Sequence, residues 1–140
     1  MNRDVVDQLI ENHPLYADIG LLALPNGWHD IVRDLFCDLT AIQAMSPGFK
    51  DVDLPILMVC LDWKSYPSDR HIVYVCPHLH HRHWTNEMAL RLIQVVSRFN
   101  TTAEQVCEVC GHASVGVLKY QDDRRQERLC EQHMAERKWL

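Results

Sequence analysis

The sequence predicts an α+β fold, with helices packed on a short antiparallel hairpin and a small ribbon at the C-terminal end. Three observations indicate it: apolar residues at helical spacing after Trp28, two β-branched runs around a turn-rich segment, and two pairs of cysteine or histidine residues near the end. The 140 residues fit one core, or a core with a small appended module. We therefore expect a body over residues 1–100 and a module over residues 101–140.

Two helices are predicted before the strands. Residues 4–10 place their apolar side chains on one side of a short helix, and Pro14 ends it or begins the next turn. The clearest helix extends from Trp28 to Met45, with Asn26 able to cap its start and a Ser-Pro-Gly segment behind it. Its apolar residues recur at i, i+3, i+4 and i+7 and predict one buried face: Ile31, Val32, Leu35, Phe36, Leu39, Ile42 and Met45.

A hairpin and a third helix are predicted next. The apolar runs LPILMVCLDW and HIVYVC flank the turn-rich KSYPSD, which favours two antiparallel strands. Thr85 can cap a helix that ends near Phe99. We expect Asn100–Thr102 to interrupt this helix and the capping-box sequence TAEQ to restart a short turn, which leads to Cys107.

The C-terminal segment contains two half-sites for a metal ion. Cys107 and Cys110 are separated by two residues, as are Cys130 and His133, and each pair can come from one tight turn. Gly111 follows the second cysteine, where such a turn favours a residue without a Cβ. The spacing predicts one structural zinc ion with all four positions filled by protein, so no open position is left for catalysis. His112 is the alternative fourth ligand.

Between the two half-sites, SVGVLKY and ERL read as strands joined by the polar QDDRRQ. A helix that begins near Cys130 would place Cys130 and His133 on the same face. The predicted module is therefore a zinc ribbon made of a knuckle, a hairpin and a short helix.

The cysteine count and the apolar profile bear on localisation. Six cysteines could form disulfides in a secreted protein, but no signal peptide is visible in the acidic N-terminal segment. No stretch approaches the roughly 18 apolar residues that a membrane span needs. We therefore expect reduced or metal-bound thiols, a cytoplasmic location and no membrane partner.

The histidine-rich segment CPHLHHRHW is a second candidate for chemistry. His78 and His80 form an H-x-H pair of the kind that metallohydrolases use, but Arg82 occupies the position of the aspartate ligand. A second zinc site could instead use this pair with Cys60 and Cys76. The third interpretation is a polar loop whose histidines pack or contact a partner. Catalysis is not predicted from any of these patterns.

Charge is unevenly distributed. Residues 1–62 contain ten acidic and three basic side chains, and residues 63–140 contain nine acidic and eleven basic ones. Any nucleic-acid surface should therefore lie in the second half. Asp30, Asp34 and Asp38 recur every four residues and form an acidic stripe on the solvent face of the Trp28–Met45 helix. The stripe either solvates the helix or binds a basic surface of a partner.

The GWHDIVRDL helix, the strand pair and the closing CEVCG…LCEQH segment resemble small phage and prophage proteins of Proteobacteria. The resemblance covers roughly residues 27–139 and is specific at Gly27, Trp28 and the half-sites. The strands depart from it, because these proteins commonly have a lysine- and glycine-rich hairpin there. The resemblance implies the architecture and the metal but no activity.

A mobile-element origin suggests, by analogy, a protein that binds a host macromolecule in the bacterial cytoplasm and blocks a defence system, as anti-CRISPR proteins do. We expect such a non-enzymatic zinc protein. The alternative is a zinc-ribbon nucleic-acid-binding or transcriptional accessory protein, which would use the basic residues of the ribbon: Lys119, Arg124, Arg125, Arg128, Arg137 and Lys138. A metal-dependent enzyme that uses the histidine-rich segment is the third possibility.

Overall fold

The computed structural model describes residues 1–16, 20–46, 57–62, 72–77, 84–120 and 126–138. Four α-helices and two antiparallel hairpins lie in these ranges, so the α+β prediction is confirmed at this level. The elements are α1 (Arg3–Asn12), α2 (His29–Ala44), β1 (Leu57–Asp62), β2 (Ile72–Pro77), α3 (Asn86–Ala103), β3 (Gly116–Lys119), β4 (Gln126–Leu129) and α4 (Glu131–Lys138). No helix of the described residues is both long and apolar enough to cross a bilayer.

Helix α1 forms where the sequence predicts it. The side chain of Asn2 accepts a hydrogen bond from the Asp4 backbone N–H at 3.0 Å and so caps the first turn. Val6 and Leu9 are buried, and the charged residues of the helix are exposed. The helix therefore contributes one narrow apolar face to the core.

Helix α2 has the predicted extent, but its N-terminus differs from the prediction. Asn26 does not cap it, because residues Asn26–Trp28 form a 3₁₀ turn that runs directly into the α-helix. Trp28 therefore occupies the N-cap position, and no side chain caps the helix. The predicted face is buried at five positions and half-buried at its two ends, Ile31 and Met45; the buried residues are Val32, Leu35, Phe36, Leu39 and Ile42.

Helix α3 begins as predicted and ends later. The Thr85 hydroxyl oxygen accepts a hydrogen bond from the Met88 backbone N–H at 3.2 Å. The predicted interruption at Asn100–Thr102 is wrong, because the helix continues to Ala103, which is fully buried. The Glu104 N–H donates to the Asn100 carbonyl at 3.2 Å and completes the last turn. The predicted boundary at residue 100 thus falls inside the helix, and the division into body and module remains a prediction.

The main core lies between α2 and α3 and is extended by α1 and the 3₁₀ segments before α2. Tyr16 stacks on Phe36 with ring centroids 4.9 Å apart. Trp28 meets Phe99 edge-on at 5.8 Å. Such aromatic pairs add about 0.5–1.5 kcal/mol each beyond the area that they bury. The Trp28–Phe99 contact fixes the start of α2 against the C-terminal half of α3.

The predicted hairpin is present as β1 and β2, which pair antiparallel from Leu57↔Pro77 to Asp62↔Ile72. Strand β2 contacts α3. The second hairpin pairs β3 with β4, from Gly116↔Leu129 to Lys119↔Gln126, as the sequence predicts. Helix α4 follows β4 after a single residue.

Candidate metal centre

Four side chains converge in the C-terminal segment: Cys107, Cys110, Cys130 and His133. Their donor atoms all lie within 4.8 Å of one another, close enough to bind one metal ion. We call these four residues the metal cluster. The sequence-predicted ligands are therefore brought together, although the two half-sites are 20 residues apart in the chain.

Three of the six distances between donor atoms in the metal cluster are close to the edges of a tetrahedral metal site. The Nδ1 atom of His133 is 3.2 Å from Cys130 Sγ and 3.5 Å from Cys107 Sγ, and Cys110 Sγ is 3.7 Å from Cys130 Sγ. Zinc bonds of about 2.3 Å to sulfur and about 2.0–2.1 Å to nitrogen place the ligands of a tetrahedron about 3.5–3.8 Å apart. These contacts therefore have nearly the edge lengths of a zinc site.

Backbone hydrogen bonds shape the first half-site, the knuckle of residues 107–111. The Gly111 N–H donates to the Cys107 carbonyl at 2.8 Å, and the Cys107 N–H donates to the His112 carbonyl at 2.7 Å. Gly111 has φ +79°, a left-handed conformation that a residue with a Cβ rarely adopts. The backbone conformation of this turn therefore requires glycine at position 111, as the sequence predicts.

The second half-site joins the end of β4 to the first turn of α4. Cys130 follows β4 directly, and its carbonyl accepts the Met134 N–H at 2.8 Å, which starts the helix. His133 therefore lies on the same face as Cys130 and presents Nδ1 to the sulfurs. Its other nitrogen, Nε2, is 3.9 Å from a carboxylate oxygen of Glu136. This distance is too long for a hydrogen bond, so Glu136 is a neighbour of the ring and not its hydrogen-bond partner.

The cysteine sulfurs lie in different electrostatic environments. Burial raises the pKa of the Cys107 thiol, but backbone N–H groups of Cys130, Cys110 and Val109 donate to its sulfur and bring the pKa down to about 7. Burial and the neighbouring sulfurs of Cys107 and Cys130 raise the pKa of Cys110. Several thiolates this close repel one another, and a divalent cation bound between them would offset this electrostatic repulsion.

His112 is the less suitable fourth ligand. Its Nδ1 atom is 3.4 Å from Cys110 Sγ, and the residue is exposed. His133 approaches two sulfurs and its side chain is only 17% exposed. Since Cys107 and Cys130 are buried as well, the metal cluster is open to solvent mainly at Cys110.

The knuckle is held directly against the start of α2. The Gly27 N–H donates to the Glu108 carbonyl at 2.8 Å. A Cβ at Gly27 would lie 2.0 Å from the Cys107 carbonyl oxygen and 2.7 Å from the Gly111 nitrogen. A Cβ at Gly111 would in turn lie 2.8 Å from the Gly27 carbonyl oxygen. The two glycines therefore allow two backbone segments to touch.

Sequence reasoning missed this role of Gly27, although it singled out both glycines. The Gly-Trp pair was the signal in the sequence. Trp28 is 99% buried, so the residue before it also lies against the core. A glycine beside such an anchor is typical of a close approach between backbones.

The acidic stripe of Asp30, Asp34 and Asp38 is on the surface, and each member lies near a cation. Arg33 is 3.3 Å from Asp30 and 3.5 Å from Asp34. Arg98 of α3 donates to Asp38 at 3.1 Å. Exposed ion pairs of this kind contribute only about 0–1 kcal/mol each to stability, so they do not hold the aspartate side chains in one conformation. The Asp38–Arg98 pair joins α2 to α3 and was not visible in the sequence.

The histidine-rich segment lies outside the described residues. His78 and His80 fall there, and Cys60 and Cys76 belong to strands whose side chains are not described. The second zinc site and the hydrolase interpretation are therefore carried forward as hypotheses.

Replacing His78, His80, His81 and His83 together with alanine is expected to leave the metal content unchanged, because the metal cluster already provides four donors. The metal-to-protein ratio of the purified variant, measured by mass spectrometry of the dissolved metal, checks this. Loss of half the metal would instead identify a second site in this segment.

The fold and the metal cluster together define a small α+β protein with a Cys₃His group that is able to bind one metal ion. Comparison with protein-family models, with curated proteins and with solved structures finds no match to this chain.

Proposed function

We propose that the metal cluster binds one structural zinc ion, that residues 101–140 form a zinc ribbon around it, and that the chain is a non-enzymatic protein that binds a host macromolecule. The observation that carries the zinc proposal is the convergence of three sulfurs and one imidazole nitrogen within 4.8 Å of one another, with three of the six donor–donor distances at 3.2–3.7 Å. Thiolate and imidazole ligands in a tetrahedron are typical of zinc. With four protein ligands, the ion has no open position for water or substrate.

The test of the zinc proposal is the metal content of the purified chain. We expect about one zinc per chain, retained on gel filtration and released by a strong chelator or by thiol modification. Substitution with cobalt should give the visible absorption of a tetrahedral thiolate site. A chain that is isolated without transition metal, and that fails to take up zinc or cobalt when reduced, would refute the proposal.

The partner proposal is supported by charge. The chain has a net charge of −5, and Asp30 and Asp34 have side chains that are 74% and 68% exposed. Carboxylates on the surface of a helix favour a basic partner and accelerate its association at low salt. A host defence complex with a positively charged nucleic-acid channel is the class of partner that the phage resemblance suggests.

Reversing Asp30, Asp34 and Asp38 to lysine is expected to abolish binding to such a partner while zinc content is kept. The stripe lies on the surface of α2 and includes none of the metal ligands, so the metal cluster should form normally. Recovery of partner proteins from a bacterial host lysate, with wild type and variant as matched baits, measures the effect.

Reversal of Asp4, Asp7 and Glu11 provides the control, because these acidic residues are exposed on α1 and carry the same charge. Equal recovery of the partner by wild type and by the α2 variant would show that the acidic stripe only solvates the helix. In that case the ribbon becomes the preferred contact surface.

The nucleic-acid alternative is favoured by one feature of the second hairpin. Lys119 is exposed at the end of β3, and Arg124 and Arg125 follow it in the sequence but lie outside the described residues. Arg137, however, is 3.4 Å from Glu127 and is partly neutralised. Binding of labelled DNA and RNA at increasing salt tests this alternative, because phosphate contacts weaken steeply as salt rises.

A further inference from the structure

A groove runs between α2 and α3 beside the acidic stripe. Its cavity volume is about 220 Å³, and its floor is made of buried apolar side chains: Leu35, Val95 and Phe99. Ile31 forms an apolar wall, and Asp34, Asp38 and Arg98 line the rim. Pockets for cofactors and drug-sized ligands usually measure about 300–1,000 Å³. This groove is therefore the size of one long side chain.

Among the described residues, the rim of the groove has more carboxylates than guanidinium groups. Arg98 is occupied by Asp38 at 3.1 Å, and Arg33 is shared between Asp30 at 3.3 Å and Asp34 at 3.5 Å. In the part of the chain that the structure describes, three carboxylates thus face two guanidinium groups, and His29, 3.2 Å from Asp30, adds charge only when it is protonated. Asp34 has the longest of these contacts with arginine, and its side chain is 68% exposed.

We propose that this groove binds a single arginine side chain of the partner protein. The aliphatic stem would lie against Ile31 and Val95, and the guanidinium group would pair with Asp34. Arginine combines an apolar stem with a planar charged group that matches a carboxylate, which is the combination that this lining presents. An anionic ligand is disfavoured, because Asp38 already neutralises Arg98. The inference rests on the proposed binding of a basic partner and identifies where its cation enters.

The probe is acetyl-arginine amide, titrated into the ¹⁵N-labelled, zinc-loaded full chain and followed by NMR. We expect saturable shifts of the backbone amides of residues 31, 34, 38, 95, 98 and 102, and weaker binding as salt rises. Asp34→Asn should reduce the affinity about fivefold or more, as expected for loss of one charge-assisted contact. Asp7→Asn, which removes an exposed carboxylate from α1, should leave the affinity unchanged.

Acetyl-norleucine amide has a similar unbranched stem without the charge and distinguishes a charge-selective groove from an apolar cleft. Equal shifts with this probe, no saturable shifts with the arginine probe, or an unchanged affinity in Asp34→Asn would each overturn the groove proposal. Zinc content is measured on the same samples. A zinc-loaded chain without arginine binding refutes only the groove, whereas arginine binding by a chain that takes up no zinc refutes only the zinc site.

Discussion

Replacing Cys107 with serine is expected to remove the metal and unfold at least residues 103–140. The Cys107 side chain is fully buried, and its sulfur accepts backbone hydrogen bonds from both half-sites. Among the described residues, the small core of this segment consists of Cys107, Leu129 and Cys130, with three half-buried apolar residues around it. This core buries little apolar area, and under the zinc proposal the metal supplies the folding free energy, about 10–16 kcal/mol in zinc-finger peptides.

The measurements are metal content, amide hydrogen exchange and protease sensitivity of residues 103–140. Cys130→Ser should give the same result, because its sulfur contacts both His133 and Cys110. Cys37→Ser is the matched control, since this thiol is exposed on α2 and lies outside the metal cluster. A Cys107→Ser protein with full metal content, or with residues 103–140 ordered in the absence of metal, would contradict the assignment.

Local patterns in the sequence were sufficient for the type and order of the helices and strands and for the metal cluster, but not for every helix end. The 3.6-residue period of the Trp28–Met45 segment depends only on which side of one helix is buried. The paired spacings at Cys107 and at Cys130 reflect turns that each close within four residues. Such features are visible without knowing what lies next to them in space.

Contacts between distant segments were not predictable in this way. Asn100–Thr102 have weak helix propensity, but burial of Ala103 and the hydrogen-bonded turn behind it keep them helical. The Arg98–Asp38 pair joins residues 60 positions apart, so no local pattern indicates it. The approach of Gly27 to the knuckle is of the same kind, since only the packing of Trp28 brings it there.

Gly27→Ala is expected to destabilise the protein by about 3 kcal/mol and to weaken metal binding. The new methyl group would lie 2.0 Å from the Cys107 carbonyl oxygen, a backbone atom that cannot turn aside as a side chain can. Overpacking by one methyl group typically costs about 1–3 kcal/mol, and a rigid neighbour on each side places this site at the upper end. Relief of the clash would move the knuckle or break the Gly27–Glu108 hydrogen bond.

The effect of Gly27→Ala on zinc affinity shows whether residues 101–140 form an independent module or are energetically coupled to the body. If the knuckle and the start of α2 are linked, Gly27→Ala weakens zinc binding, and it must destabilise the zinc-loaded protein more than the zinc-free protein by that same free energy. Urea unfolding monitored by Trp28 fluorescence, with and without zinc, and a competition titration for zinc measure the two sides. Single-tryptophan variants that keep Trp28 make the fluorescence signal specific.

Gly116→Ala is the matched control, because it lies in β3 beside the metal cluster and its new methyl group would be 3.7 Å from Met134 Cε, an ordinary contact. It should change neither stability nor zinc affinity by more than a few tenths of a kcal/mol. Zinc affinity that is unchanged in Gly27→Ala, with stability lost only from the body, would mean that residues 101–140 bind metal independently. The close approach of the two glycines would then be packing without energetic coupling.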